Sequence, residues 1–114
     1  MFKTIGKYVP PAPVVKSPAL WGTKAHLDAL FGAKATVEAT SKHFVLRYKS
    51  PAHWLDIFRS YYGPVLKAFA AVDANTQESL AADMRVLLDR FNTATDGTVV
   101  IPSEYLEVVA IKRG

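Results

Sequence analysis

The residues in this sequence able to do chemistry are few and scattered. Three histidines stand at His26, His43 and His53. His53 and Asp56 are three positions apart, so on a helix they share a face and are spaced to bind a metal or to form a His–Asp pair. No third ligand stands at a supporting spacing, and ordinary surface hydrogen bonding accounts for both residues equally well. The glycines, at 6, 22, 32, 63, 97 and 114, never fall within five residues of one another. A dinucleotide or adenosyl-cofactor loop needs clustered glycines after a strand so that backbone can approach the ligand closely. Neither that loop nor a Gly-x-Ser-x-Gly elbow is present. There is no cysteine, which excludes disulfides, thiolate zinc sites and a cysteine nucleophile. Catalytic and metal-ligating residues are therefore not assigned.

The most site-like feature is aromatic. Trp54, Phe58, Tyr61 and Tyr62, with Trp21 and Phe69 as further neighbours, make a wall with hydroxyls suited to a small apolar or planar ligand. The same spacing also builds a hydrophobic core, and both readings stand at this point. Tyr61 and Tyr62 adjoin a Gly-Pro break and point about 100° apart on a helix, so at least one of them reaches past the core. Glu104 and Glu107 bracket the last strand, where carboxylates are usually solvent-paired.

The elements that position these residues follow from capping and periodicity. Residues 2–8 form a helical turn ended by Pro10, Pro11 and Pro13, and Val9–Pro18 reads as a stiff extended linker. Thr23 caps a helix over about 24–31, with Leu27, Leu30 and Phe31 as its buried stripe and Gly32 past its end. Over 35–48, period-two alternation predicts a strand with a change of parity, hence a bulge or bend, near Ser41. Ser50-Pro51 starts the aromatic helix. Gly63-Pro64 breaks it, and a short helix follows through Val65, Leu66, Phe69 and Val72. Thr76 reads as the cap of the longest helix, whose stripe is Leu80, Met84, Leu87, Leu88 and Phe91, with Asp83 solvated. After the Asp96-Gly97 turn, Pro102 interrupts a short extended piece. A final strand over 104–111 is apolar on both faces, the pattern of a strand covered on both sides.

The expected architecture is thus α+β: a small antiparallel sheet of strands 35–48 and 104–111 with about four helices. At 114 residues the chain is one domain, with 1–22 an N-terminal turn and Pro-rich linker and 23–114 the body. Half the residues are hydrophobic, which excludes a wholly disordered chain. No run reaches the ~18 apolar residues of a membrane span, and residues 1–8 do not make a secretory signal. A soluble, cytoplasmic protein without a membrane partner is expected. Residues 1–50 hold eight Lys/Arg against two acids, a balance of +6, and residues 51–114 hold six against eight, a balance of −2. The basic half suits a phosphate or acidic partner. Its lysines are dispersed without any nucleic-acid signature, so no nucleic-acid partner is expected.

Four strings carry a resemblance. They are Phe2-Lys-Thr-Ile-Gly-Lys-Tyr-Val-Pro-Pro, Ser17-Pro-Ala-Leu-Trp-Gly-Thr, the run from Ser50-Pro-Ala-His-Trp to Tyr61-Tyr-Gly-Pro, and the run from Asp96-Gly-Thr-Val-Val to Glu107-Val-Val. Together they resemble the C-terminal half of class I S-adenosylmethionine-dependent methyltransferases of the quinone-biosynthesis-like group, over residues 1–112. The resemblance implies that 35–48 corresponds to the sixth strand of that fold and 103–112 to the antiparallel seventh. It implies a chain that covers the acceptor substrate and holds no S-adenosylmethionine itself, because the glycine-rich loop and first five strands have no counterpart here. Trp21 and the segment Trp54–Tyr62 then stand as a pocket wall. The seventh strand would lack its fifth-strand neighbour, leaving unpaired backbone groups along an apolar edge. Three things would cover it: a second copy, giving a homo-oligomer through 104–111, rearranged N-terminal residues of the chain itself, or a separate cofactor-half protein. An interaction module without a ligand is the remaining reading.

Overall fold

The computed structural model describes residues 1–114. In chain order the elements are α1 (Phe2–Ile5), a 3₁₀ turn (Pro18–Gly22), α2 (Lys24–Phe31), β1 (Ala35–Tyr48), α3 (Pro51–Tyr61), α4 (Gly63–Ala70), α5 (Ala74–Phe91) and β2 (Val99–Lys112). β1 and β2 form one two-stranded antiparallel sheet. The α+β expectation is met, with five α-helices where about four were expected. No helix is long and apolar enough to cross a membrane.

Helix starts follow the capping chemistry, with one correction. The Ser50 hydroxyl accepts the His53 N–H at 3.1 Å, and Pro51 sits in the first turn, where no backbone donor is needed. Tyr62 closes α3 and opens α4 at the Gly-Pro step. The cap of α5 is Asp73 and not Thr76: the Asp73 carboxylate accepts the Thr76 N–H at 2.8 Å, so the helix begins at Ala74. Asp and Thr are both good caps, and three residues apart only the first can hold the other's amide. Thr23 occupies the cap position of α2, but its hydroxyl donates backward to the Leu20 carbonyl at 2.7 Å. That bond closes the 3₁₀ turn, which interrupts what reads in sequence as the end of a linker.

The residues cluster into two compact units. The first comprises Met1–Pro13 and Val45–Pro102 and contains α1, α3, α4 and α5. In it α3 packs on α4 and α5, and α1 packs on α5. Its core is Ile5, Trp54, Leu55, Val65, Ala68, Phe69, Leu80, Met84, Leu88 and Val99, flanked by half-buried Tyr8, Tyr48, Phe58 and Ile101. The α5 stripe is buried at Leu80, Met84 and Leu88, whereas Phe91 is exposed. Asp83 is half-buried rather than solvated. It accepts from the Tyr8 hydroxyl at 3.0 Å and from Lys7 at 3.3 Å, fastening the α1 segment to α5.

The second unit comprises Val14–Phe44 and Ser103–Gly114. Its fully buried side chain is Leu27; Leu30 and Phe31, expected beside it in the stripe, are exposed. Cross-strand bonds join its strand segments: Ser41 to Glu104 at 2.6 Å, Lys42 to Glu107 at 2.8 Å, and the Arg113 N–H to the Lys34 carbonyl at 2.9 Å. The Arg113 guanidinium also donates to the Gly32 and Ala35 carbonyls.

The strands correct two expectations. β2 starts at Val99 and runs through Pro102. The Val100 N–H bonds to Asn92 rather than to β1. Pro102, two residues on, therefore turns its ring nitrogen to the same outer side and removes no ladder bond. Nor is β2 covered on both faces. Tyr105, Val109 and Ile111 are exposed, as is Phe44 of β1. The phase of burial in β1 slips between Ala39 and Leu46, in keeping with the parity change expected near Ser41.

Candidate functional site

The predicted pocket-wall residues divide. Trp54, Phe58 and Tyr62 recur every fourth residue along α3 and stack: ring centroids are 5.0 Å apart for Trp54–Phe58 and 5.2 Å for Phe58–Tyr62. The chain of rings continues from Phe58 to Tyr48 at 6.1 Å and from Tyr48 to His53 at 5.9 Å. These are the tilted and edge-on arrangements that aromatic quadrupoles favour. Trp54 is 2% exposed and belongs to the core, Tyr62 is 38% exposed, and Tyr61 is 79% exposed. The row therefore runs from buried to wet within the first unit. Trp21 belongs to the second unit, where it meets His26 edge-on at 6.0 Å and Phe31 at 6.4 Å.

Trp54 Nε1 is buried and has no hydrogen-bond partner, an uncompensated donor of the kind that costs about 1–3 kcal/mol. His53 and Asp56 do not act as a pair. His53 Nδ1 instead accepts the Lys49 N–H at 3.3 Å, which leaves the proton of a neutral ring on Nε2. No three His, Asp or Glu side chains are placed to hold a metal ion.

Two shallow grooves flank the aromatic helix in the first unit. One, about 430 Å³, is lined by Asp56, Arg59, Ser60, Leu66, Phe69 and Gln77, among others. Two of its polar side chains, Arg59 and Gln77, are already engaged. The Arg59 guanidinium lies 4.6 Å over the Phe69 ring and donates to Gln77 at 2.7 Å, while Gln77 Nε2 donates to the Phe69 and Val72 carbonyls. This network ties α3 to the α4–α5 junction. The other groove, about 450 Å³, lies where β1 leads into α3 and is lined by Arg47, Tyr48, Lys49 and His53 facing Thr98, Val99 and Val100. Of these linings, the sequence singles out His53, Asp56 and Phe69, but for other roles, and it predicts neither grouping. The available signal was the pair of cations at Arg47 and Lys49, two apart across the end of β1 and just before a capped helix.

In the second unit a smaller groove of about 250 Å³ is lined by Gly22, Ser41, Glu104, Tyr105 and Leu106. Its hydroxyl and carboxylate are bonded to each other.

Comparison with known proteins places the chain among longer ones. It is 30% identical over 116 aligned positions to uncharacterized proteins of Mycobacterium bovis and of two Mycobacterium tuberculosis strains. The alignment takes in 99% of this chain and 42% of each relative, so the chain spans about two fifths of their length. No family model and no solved structure matches it.

Proposed function

We propose that this chain is the acceptor-covering region of a methyltransferase-like protein, inactive alone, whose sheet is completed by a separate cofactor-holding part. The observation that carries this reading is the bareness of the second unit. Around a single fully buried Leu27 it exposes Phe44, Tyr105, Val109 and Ile111 on a two-stranded ribbon, and Trp21 and Leu30 on the 3₁₀ turn and α2. Two strands make a marginal sheet, and exposed apolar side chains beside unpaired strand edges mark a surface built to be covered. The relatives' length supports a covering part on the same scaffold. The scattered glycines support placing the S-adenosylmethionine grip outside this chain. On this reading Tyr62, at the wet end of the aromatic row, and the exposed Tyr61 beside it face a small apolar acceptor. A second copy covering the ribbon is the other arrangement, giving a homo-oligomer.

Calorimetry with S-adenosylmethionine tests the proposal, run on this chain alone and after mixing with the part of a mycobacterial relative that it does not cover. Heat of binding only in the mixture, with slowed amide exchange at 103–112, is the expected result. Binding of the methyl donor by this chain alone overturns the reading. So does a mixture that neither binds it nor protects the ribbon.

A further inference from the structure

We propose that the groove between the end of β1 and the start of β2 in the first unit binds a small organic anion with an apolar body. The cationic side is built by Arg47 and Lys49, both exposed and neither engaged in a salt bridge. His53 adds a donor of fixed identity. Because its Nδ1 accepts the Lys49 N–H, the neutral ring carries its proton on Nε2 and offers it outward from that bond. The same contact holds the imidazole against the backbone of Lys49.

The remainder of the groove is apolar. Tyr48, held edge-on between His53 and Phe58, supplies a ring, and half-buried Val100 supplies the opposite wall over the core residue Val99. Thr98 also lines it, but its hydroxyl is spent on Asp96 at 2.6 Å. Asp96 is itself outside the lining set, and its charge is drawn into the turn by the Thr98 N–H and O–H. About 450 Å³ lies within the size range of small-molecule sites, roughly 300–1,000 Å³. Two free cations, one neutral donor and an aromatic–aliphatic wall select a carboxylate or phosphate on a planar or branched hydrocarbon. They do not select a bare inorganic ion or a neutral molecule. This site is independent of the methyltransferase reading, since it lies wholly in the unit with the closed core.

The test is a two-dimensional amide NMR titration of the full chain with phenyl phosphate, and in parallel with inorganic phosphate and with phenol. Shifts centred on 47–53 and 98–100 are expected, with phenyl phosphate binding at least about tenfold tighter than either fragment. The double variant Arg47→Gln/Lys49→Gln changes two exposed side chains, and the dispersion of its own spectrum reports whether it is folded. It should weaken phenyl phosphate at least about tenfold and leave phenol unaffected. Absence of binding, shifts centred elsewhere, equal affinity for all three probes, or an unchanged affinity in the folded double variant each overturns the proposal.

Discussion

At the scale of single residues, the contact with the clearest electrostatic signature is Asp83. Its carboxyl is held below the ordinary carboxylate range, first by the Tyr8 hydroxyl and then by Lys7. The Tyr8 phenol is pushed up, by desolvation first and then by Asp83. A group whose pKa is depressed on folding stabilises the fold above its unfolded value, near 3.9 for aspartate, and that stabilisation is lost as pH falls through the folded value. Asp73 and Asp96, each lowered chiefly by bonds to the Thr two or three residues on, add to the same acid window. The raised Tyr8 works in the opposite direction, its contribution present below about 10 and lost as pH climbs past it. Asp83→Asn is therefore expected to show a shallower fall in melting temperature between neutral pH and pH 3 than the unaltered chain. Its alkaline limb should change as well, because Tyr8 loses its charged neighbour. Thermal melts across the pH range check this, and an acid limb identical to that of the parent chain would contradict it. None of this was legible beforehand: the spacing placed Asp83 off the helix stripe, and nothing local told that a tyrosine 75 residues away would reach it.

At the scale of elements, the join between α5 and β2 shows why strand boundaries were harder to read than helices. The helix stripes were visible in the spacing of Leu80, Met84 and Leu88, because apolar side chains four apart lie on one face whatever they pack against. The start of β2 was hidden behind Pro102, a residue that ends a strand only if its nitrogen faces a partner. Asn92 decides the matter. Its Oδ1 accepts the Ala94 and Val100 N–H groups at 3.1 and 2.8 Å, and its Nδ2 donates to the Thr98 carbonyl at 3.0 Å. One half-buried amide thus folds the 92–100 segment back along the outer edge of β2. Gly97, at φ +87°, supplies the turn that this path needs. Replacing Asn92 with Ala leaves three backbone groups without their partner. Water reaches some of them, so the expected loss is about 1–3 kcal/mol, read as a lower urea midpoint with an unchanged slope. An alanine variant as stable as the parent would show that the turn is held by Gly97 and Asp96 alone. The aromatic site divides along the same line. The Trp54–Phe58–Tyr62 row was legible because it lies along one helix turn after turn, whereas Trp21 packs on His26 and Phe31 of the neighbouring α2.

At the scale of the whole molecule, the apolar material is unevenly distributed, and alternation in sequence could not reveal it. Tyr105, Val109 and Ile111 alternate with Leu106 and Val108 as they would in a strand buried on both sides. A pattern of that kind records what the strand is fit to touch and not what this chain provides for it. The two faces differ in the structure: Leu106 and Val108 are half-buried, whereas Tyr105, Val109 and Ile111 are exposed. Charge on that exposed face is limited to Glu107, and Lys42 already neutralises it. The usual guard of an edge, an unpaired lysine pointing outward, is missing from the middle of the strand. In isolation this chain is therefore expected to associate through the ribbon at micromolar concentration, giving a scattering mass above that of the 12.5 kDa protomer. The double variant Val109→Lys/Ile111→Lys places two charges on one face of the strand and should restore the protomer mass. Both side chains are already exposed, so the unfolding free energy should stay within about 0.5 kcal/mol per site. A parent chain that scatters as a strict monomer, or a variant that still associates, would mean that the exposed ribbon is tolerated by the molecule rather than kept for a partner.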